Sequence, residues 1–292
     1  MECGCNVTRY IVSLSSIPPR FSGLSLTLES LLAQTVRPER VILYLNRQYT
    51  RFPDWDGTLP DVPEGVEIRM VDQDYGPATK ILPALREFAG QDVEILFCDD
   101  DQIYQPYLAE AYLKARAKHP DACIGASGMQ DYAPLNEGET RQFDYRPRMK
   151  RLWKKANVAF LLHLFGLYLL SKVTGKHYED PVRRNVLRPG HADGFEGWMG
   201  VMVRPEFFPE EVFDIPDFAR PVDDVWLSGH ATRLGHAPWI IGGPLQPVLM
   251  PDTTDAHNNE TALYRSEFGG VRRDQSNIDT VRHFQKTYGI WR

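Results

Sequence analysis

One short stretch in the first half of the chain constrains the fold more than any other. It runs Ile95-Leu96-Phe97-Cys98-Asp99-Asp100-Asp101, an apolar segment that ends in three consecutive carboxylates. A short continuous apolar run is typical of a parallel strand that is buried on both faces. Three like charges at its end are costly unless a cation or solvent neutralises them. We therefore predict a buried strand that brings acidic side chains to the edge of a sheet.

The acidic triplet has two explanations on the residues alone. Ligands of open α/β sheets bind just beyond the carboxyl ends of strands. At such a place Mg²⁺ or Mn²⁺ would take one or two carboxylates and fill its other positions with phosphate oxygens and water. The alternative is a solvated acidic turn before a helix that begins near Pro106.

The neighbouring segments predict an α/β fold with a mostly parallel sheet. Strand-like and helical patterns alternate along the first hundred residues, which indicates crossover connections between parallel strands. The predicted strands are Tyr10–Leu14, Val41–Leu45, Val66–Val71 and Val93–Cys98, and the predicted helices are Leu24–Gln34 and Pro77–Phe88. Later segments predict a strand over 200–203 and helices over 223–234 and 275–288.

Composition excludes some classes of protein. A hydrophobic content of 42% and a charged content of 25% are ordinary for a globular chain. The net charge of −6 argues against a nucleic-acid binder, which is normally basic. The cysteine count is too low for a disulfide framework, and Cys98 and Cys123 lie in apolar runs where we predict them to be buried. No apolar signal segment precedes Tyr10, so we expect a reducing, cytoplasmic setting.

The loop over 72–80 is the second candidate for ligand binding. Gly76 permits close approach of backbone, and Pro77 suits the first position of a helix. A helix N-terminus beside Thr79 and Lys80 would favour an anion such as a diphosphate. An ordinary loop with a capping aspartate explains the same residues equally well.

Residues 141–188 differ from the rest of the chain in charge and hydropathy. The segment contains twelve basic and three acidic residues, so it carries +9 in a chain of net −6. Within it, the run 158–170 is apolar on every side of a helix, which indicates either a core helix or contact with lipid. Its length favours a buried core helix. The flanking lysines favour peripheral contact with an anionic membrane instead.

Three later motifs contain polar residues in patterns suited to binding or catalysis. The glycine-rich stretch 194–200, around Trp198, suggests a loop close to a ligand, or a hairpin whose tryptophan fills the core. Asp223 suits the N-cap of a helix and Asp224 its first turn, while one of the two could equally serve as a general base. His257 lies in an irregular stretch and could close over a metal-bound phosphate.

Taken in order, these motifs resemble those of the nucleotide-sugar-dependent glycosyltransferases of the GT-A fold, especially the bacterial members similar to family 2. The resemblance covers roughly 9–130 and 190–245. It is carried by the segments 11–20, 74–80, 99–101, 194–200 and 223–227. It implies a single GT-A domain over 1–292, with a nucleotide-sugar-binding half at 9–130 and an acceptor and catalytic half at 190–245. The basic insert 141–188 has no counterpart in the family, and 246–292 forms a C-terminal segment.

The resemblance also implies roles for individual residues. Asp99-Asp100-Asp101 is similar to the family's D-x-D element, with the last aspartate on the metal and the first near the nucleotide. The implied residues are, for catalysis, Asp224 with Asp223 as second choice; for the nucleotide sugar, Ser13, Ser15, Pro18, Arg20, Asp74, Lys80, Asp99 and Asp100; for the donor and acceptor loop, Gly194, Glu196, Gly197 and Trp198; and for Mn²⁺ or Mg²⁺, Asp101, Asp99 and His257.

The activity implied is transfer of a sugar from a nucleoside-diphosphate sugar to a hydroxyl of a glycan or lipid-linked acceptor, with inversion. The metal and Lys80 would stabilise the departing diphosphate while Asp224 deprotonates the acceptor. The alternatives are a retaining transferase, a sugar-1-phosphate nucleotidyltransferase and a non-catalytic carbohydrate-binding relative. The loop Ser15–Arg20 lacks the glycine that a nucleotidyltransferase should carry, and both acidic clusters that a non-catalytic relative would lose are present.

Overall fold

The computed structural model describes residues 9–132, 145–152, 158–176, 182–249 and 272–292. The strands are β1 Tyr10–Ser15, β2 Arg40–Asn46, β3 Val66–Val71, β4 Glu94–Cys98, β5 Gln102–Ile103, β6 Cys123–Gly125, β7 Gly128–Met129, β8 Lys150–Arg151, β9 Val186–Arg188, β10 Gly190–His191, β11 Gly194–Phe195, β12 Val201–Val203, β13 Pro238–Ile240 and β14 Val248–Leu249. The helices are α1 Leu24–Leu32, α2 Leu82–Glu87, α3 Leu108–Arg116, α4 Val158–Thr174, α5 Asp223–Arg233 and α6 Arg273–Tyr288.

The central sheet has eight strands in the order β10-β13-β6-β12-β4-β1-β2-β3. The pairs β4-β1, β1-β2, β2-β3 and β13-β6 are parallel, whereas β12 runs antiparallel to both of its neighbours. Crossover connections that contain α1 and α2 link strands of the parallel half. The predicted α/β class with a mostly parallel sheet is therefore confirmed.

Strand β4 lies in the interior of the sheet, between β12 and β1, and all of its residues are buried. Helices cover both faces: α1 and α3 pack on one, and α2, α5 and α6 on the other. Successive residues of β1 alternate between the two resulting cores, with Ile11 in one and Val12 in the other, as strand geometry requires. Cys98 and Cys123 are buried and unbridged, as predicted.

The antiparallel pairing of β12 with β4 determines what lies beside the acidic triplet. Val201 pairs with Phe97, so the chain entering β12 passes the end of β4. The backbone turns at Gly200 with φ +74°, a conformation that favours glycine. Sheet pairing thereby places the 194–200 loop against Asp99.

The predicted helix over Pro77–Phe88 is divided in two. A 3-10 helix spans Gly76–Lys80, and α2 begins only at Leu82. Pro83 explains the interruption, because it has no N–H to donate to the carbonyl of Thr79 and its ring would clash there. The break leaves Lys80 as the last residue of the 3-10 helix, and its side chain extends to Asp99 at the end of β4.

The prediction that 158–170 is a core helix is wrong. The helix exists, as α4, but Leu162 is 66% exposed and Phe165 is 58% exposed. The length of the apolar run does not distinguish a buried helix from a surface helix. A helix without a polar face also gives no indication of which side faces solvent. Among the helices of the described residues, none is long and apolar enough to cross a membrane.

Helix α5 is held against α6 by a close contact between Gly229 and Phe284. A Cβ built on Gly229 would overlap the ring of Phe284, which is fully buried and also contacts Trp226 and Trp291. The ring cannot move aside, because protein interiors are densely packed. The start of α5, which carries Asp223 and Asp224, is positioned by this contact.

We expect Gly229→Ala to lower the free energy of unfolding by about 1–3 kcal/mol through overpacking. Urea denaturation would measure the loss. The matched control is Gly166→Ala in α4, where an added Cβ meets nothing within 4 Å. Since alanine is the better helix former by about 1 kcal/mol, the control should be neutral or stabilising. Equal effects of the two substitutions would contradict the packing explanation.

Candidate active site

Two acidic clusters that are far apart in the sequence meet around one lysine. Lys80 Nζ lies 2.7 Å from Asp99 Oδ1 and 3.0 Å from Asp223 Oδ2. The Lys80 side chain is only 8% exposed, and that of Asp223 only 5%. The end of β4, the 3-10 helix Gly76–Lys80 and the start of α5 therefore converge on a single charged site.

Lys80 is fixed by its backbone as well as by its charge. The Ser13 hydroxyl donates a hydrogen bond of 2.6 Å to the Lys80 carbonyl from beneath. Ser13 is fully buried, so it supports Lys80 and does not face the open side of the site. Burial acts to lower the pKa of Lys80, but Asp223, Asp99 and Asp224 outweigh it and raise that pKa well above its ordinary value. The lysine is a permanent cation.

Asp223 and Asp224 differ in their surroundings although they are neighbours. Asp223 is not the N-cap: Val222 occupies that position, and the Asp223 side chain makes no capping bond but pairs with Lys80. Asp224 Oδ2 accepts a hydrogen bond of 3.1 Å from the Gly197 N–H. Burial and the Asp223 charge raise the pKa of Asp224 to about 7, against the opposing effect of Lys80. Asp224 can thus exchange a proton near neutral pH.

Gly197 lies where no side chain would fit. An added Cβ would stand 2.9 Å from Asp224 Oδ1 and 2.9 Å from Lys80 Nζ. Next to it, Glu196 accepts hydrogen bonds from Ser127 and from Arg151. Of the other predicted loop residues, Gly194 is buried in the strand pair β11-β7 and Trp198 is half-buried against the core. Both the loop and the core explanations of Trp198 are therefore consistent with its position.

The second aspartate of the triplet is bound to the loop after β1. Arg20 Nη1 donates a hydrogen bond of 2.7 Å to Asp100 Oδ1 and lies 3.4 Å from Asp101 Oδ2. Ser16 donates to the other oxygen of Asp100. Of the predicted donor contacts, Ser15 is the last residue of β1 and Pro18 lies in the loop after it, and both are half-buried. Arg20 thus neutralises part of the triplet.

Asp101 is the carboxylate with the weakest compensation. Burial, followed by the charges of Asp100 and Asp99, raises the pKa of Asp101 to about 6. Asp99 and Asp101 are 29% and 27% exposed, so a ligand could reach both. Two accessible carboxylates fit a hard cation that takes its other ligands from phosphate and water. Within the described ranges no group of three His, Cys, Asp or Glu side chains is arranged to hold a metal, and His257 lies outside those ranges.

Several buried polar atoms at the site have no hydrogen-bond partner. They are Arg20 Nε, Gln102 Oε1, Asp223 Oδ2 and Asp224 Oδ1, of which Asp223 Oδ2 has an ion-pair contact with Lys80. Buried polar groups are nearly always paired, so such atoms indicate a place where a ligand or water completes the bonding. Donors and acceptors are both present, as recognition of a polar ligand requires.

Asp74, predicted to contact the donor, is engaged by the protein itself. Its carboxylate accepts hydrogen bonds from Asn46 Nδ2, Thr50 N and Gly76 N. Arg220 donates to its carbonyl. These bonds tie the loops after β2 and β3 to the segment before α5.

Sequence reasoning did not identify Tyr104 or Ser16 as parts of the site. The buried Tyr104 hydroxyl accepts from Asp99 N at 2.9 Å and lies 3.3 Å from the Trp198 carbonyl. It therefore connects the acidic strand end to the glycine loop. No local pattern distinguishes this tyrosine from a core residue, so only the three-dimensional structure could reveal it.

Comparison with known proteins does not establish a family. No protein-family model matches the chain, and no curated protein matches it. Two similar solved structures are crystal structures of S. aureus TarS 1–349, one of them in complex with UDP. Each is 12% identical, covers 97% of this chain and 73% of the TarS chain, and has a TM-score of 0.41. Similarity at this level identifies neither the family nor the activity of the chain.

We expect Lys80→Met to lower the free energy of unfolding by about 3–5 kcal/mol, because it leaves buried carboxylates without their cation. Lys80 opposes the rise in the pKa of buried Asp224, so without Lys80 that pKa would rise further and the deficit should grow as pH rises above about 4. Denaturation at several pH values would measure it. The control is Lys114→Met, which breaks an exposed pair with Glu110 and should change stability by less than about 1 kcal/mol. A pH-independent deficit would contradict the charge explanation.

Proposed function

We propose that the protein is a metal-dependent glycosyltransferase that moves a sugar from a nucleoside-diphosphate sugar to a hydroxyl acceptor, with inversion at the sugar carbon. The single observation that carries the proposal is the meeting of Asp99 and Asp223 at Lys80, with Asp224 beside them. Such a site brings together a cation that could hold a leaving diphosphate and a carboxylate that could act as a base. This is the arrangement that displacement at a sugar carbon requires.

The donor would bind at the end of β4. Asp101 and Asp99 would hold Mn²⁺ or Mg²⁺, which when bound supplies positive charge to the diphosphate oxygens. Lys80 has three N–H donors, of which one bonds Asp99 Oδ1, while Asp223 Oδ2 lies 3.0 Å away as an ion pair without a hydrogen bond. A donor that is not bonded to Asp99 would be available for an oxygen of the departing diphosphate. Arg20, with its unpartnered buried Nε, would contact the nucleotide from the other side of the triplet.

Asp224 is the better candidate for the base. Asp223 is ion-paired with Lys80, whereas Asp224 Oδ1 has no hydrogen-bond partner among the described residues, and the pKa of Asp224 is raised to about 7. In the proposed step the acceptor oxygen attacks the sugar carbon as the bond from that carbon to the phosphate oxygen breaks. The hydroxyl proton passes to Asp224, and the electron pair of the broken bond leaves with the diphosphate. A base of pKa near 7 suits this task at neutral pH.

The acceptor would enter beside the loop 194–200, where Glu196 and Trp198 are half-buried. A tryptophan face and a carboxylate are suited to sugar rings and their hydroxyls. We therefore propose a glycan or lipid-linked glycan as acceptor.

The proposal as a whole is tested by a screen of nucleotide sugars with Mn²⁺ or Mg²⁺. The readouts are the thermal shift and the slow hydrolysis of the donor in the absence of acceptor. We expect one donor to raise the melting temperature only with the metal and to be hydrolysed slowly. If no nucleotide sugar produces either signal with either metal, the proposal is wrong.

We expect Asp224→Asn to retain donor binding and to lose about 10²–10⁴-fold in turnover, since the amide cannot take a proton. In the unsubstituted protein, turnover should fall as pH drops below about 7, where Asp224 becomes protonated. Steady-state rates over pH 5–9 (about four units, spanning the expected pKa) would show both effects. The control is Asp217→Asn at an exposed position, which should leave the rate unchanged. Normal turnover of Asp224→Asn would remove the assignment.

We expect Asp101→Ala to abolish the part of donor binding that depends on metal while leaving the fold intact. Its carboxyl has a raised pKa through burial and the Asp100 and Asp99 charges, so its loss relieves repulsion and should not destabilise the protein. Calorimetry of donor binding with and without Mn²⁺ would measure the effect. Asp92→Ala, at an exposed site, is the control. Metal-stimulated binding that survives in Asp101→Ala would contradict the role.

A further inference from the structure

Helix α4 has an apolar surface that is exposed in the part of the chain that the structure describes. Leu162, Phe165 and Val173 are 66%, 58% and 84% exposed. The half-buried positions are Phe160, Leu164, Leu167 and Ser171, which are spaced by four, three and four residues. Residues with this spacing form a single stripe along the helix, so the described side chains of α4 that pack on the protein lie on one narrow face. An exposed apolar surface of this kind marks an interaction site.

The residues around α4 define the charge of the partner. Exposed basic side chains lie in and just after the last turn of the helix, and in and just before the returning strand β9: they are Lys172, Lys176, Arg184 and Arg188. The segment 141–188 as a whole carries +9, whereas the remainder of the chain carries about −15, the difference from the net −6. An apolar helix bordered by positive charge is complementary to a surface that is apolar inside and anionic outside.

We propose that α4 docks on the surface of an anionic lipid bilayer. The exposed leucine and phenylalanine side chains would enter the acyl boundary, and the basic residues would contact lipid headgroups. A second copy of the chain fits less well, because two α4 helices placed face to face would bring the basic flanks of both copies together. A proposal of this kind is independent of the donor chemistry, since it uses none of the residues around Lys80.

The base of the insert connects the docking helix to the candidate site. Strands β8 and β9 pair at the root of the insert, and Leu152 N donates to Asn185 O just beyond them. Arg151 in β8 bonds to Glu196, next to Gly197. Docking through α4 would therefore hold the 194–200 loop close to the membrane surface, where a lipid-linked molecule would be presented.

Vesicle flotation of the full chain tests the proposal. We expect binding to phosphatidylcholine vesicles that contain about 30% phosphatidylglycerol, at least about tenfold stronger than to phosphatidylcholine alone, and weaker at about 0.5 M than at about 0.05 M salt. Equal binding to both vesicles, or none to either, would overturn it. A dimer seen by light scattering without lipid, and abolished by Leu162→Glu, would identify a second copy as the partner and would also overturn it.

Substitutions separate the two contributions to binding. Leu162→Glu and Phe165→Glu should each reduce flotation on anionic vesicles by about tenfold or more, because they place a charge on the lipid side. Lys172→Gln with Lys176→Gln should reduce it by about tenfold and flatten the salt dependence. The matched control is Ile278→Glu, at a residue of helix α6 that is 45% exposed, which should bind normally. Unchanged flotation of the α4 variants, with folding verified by circular dichroism, would rule out docking through this helix.

Discussion

The site depends on the burial of one lysine among carboxylates. An ammonium group that is removed from water is strongly destabilised unless opposite charges compensate it, and Lys80 has Asp99 and Asp223 within 3.0 Å. The compensation is mutual, because the same lysine makes it tolerable to bury Asp223 and to place Asp224 beside it. Three segments with no sequence proximity are thus held in one place by a single cation. The hydrogen bond from the Ser13 hydroxyl to the Lys80 carbonyl fixes the lysine backbone, and the absence of a side chain at Gly197 leaves room for the charged groups.

The sheet explains how these segments reach each other. Parallel strands bring β1 and β4 to the same edge, so the loop with Arg20 and the acidic triplet share that edge. The antiparallel strand β12 then returns the chain past the same point and brings Gly197 with it. Helix α5 starts at this edge because its packing on α6 through Gly229 determines where it can lie. The site is therefore assembled by strand direction and helix packing together.

Much of the fold could be predicted from the sequence because hydrophobic patterning reports burial. Strand β4 and helix α1 are clear cases: β4 is a short continuous apolar run, and α1 buries Leu24, Leu28 and Leu31 on one face. The split of the predicted helix at Pro83 was missed, and α4 was assigned to the core because of its length, since a pattern without a polar face fits either a core or a surface helix. For the candidate site, the acidic triplet, Lys80 and Asp224 were identifiable as chemical groups. Their meeting was not, because it depends on the antiparallel return of β12, and Tyr104 has no local signal at all.

Tyr104 has a mechanical consequence for the two sides of the site. Its hydroxyl bonds the backbone of Asp99 and also lies against the carbonyl of Trp198, while its ring is almost fully buried. A displacement of Asp99 would change the position of the Tyr104 hydroxyl and so of the Trp198 carbonyl that it contacts, and the reverse holds for a displacement of the loop. We therefore expect the strand end and the glycine loop to move together rather than independently, because one buried hydroxyl contacts the backbone of both.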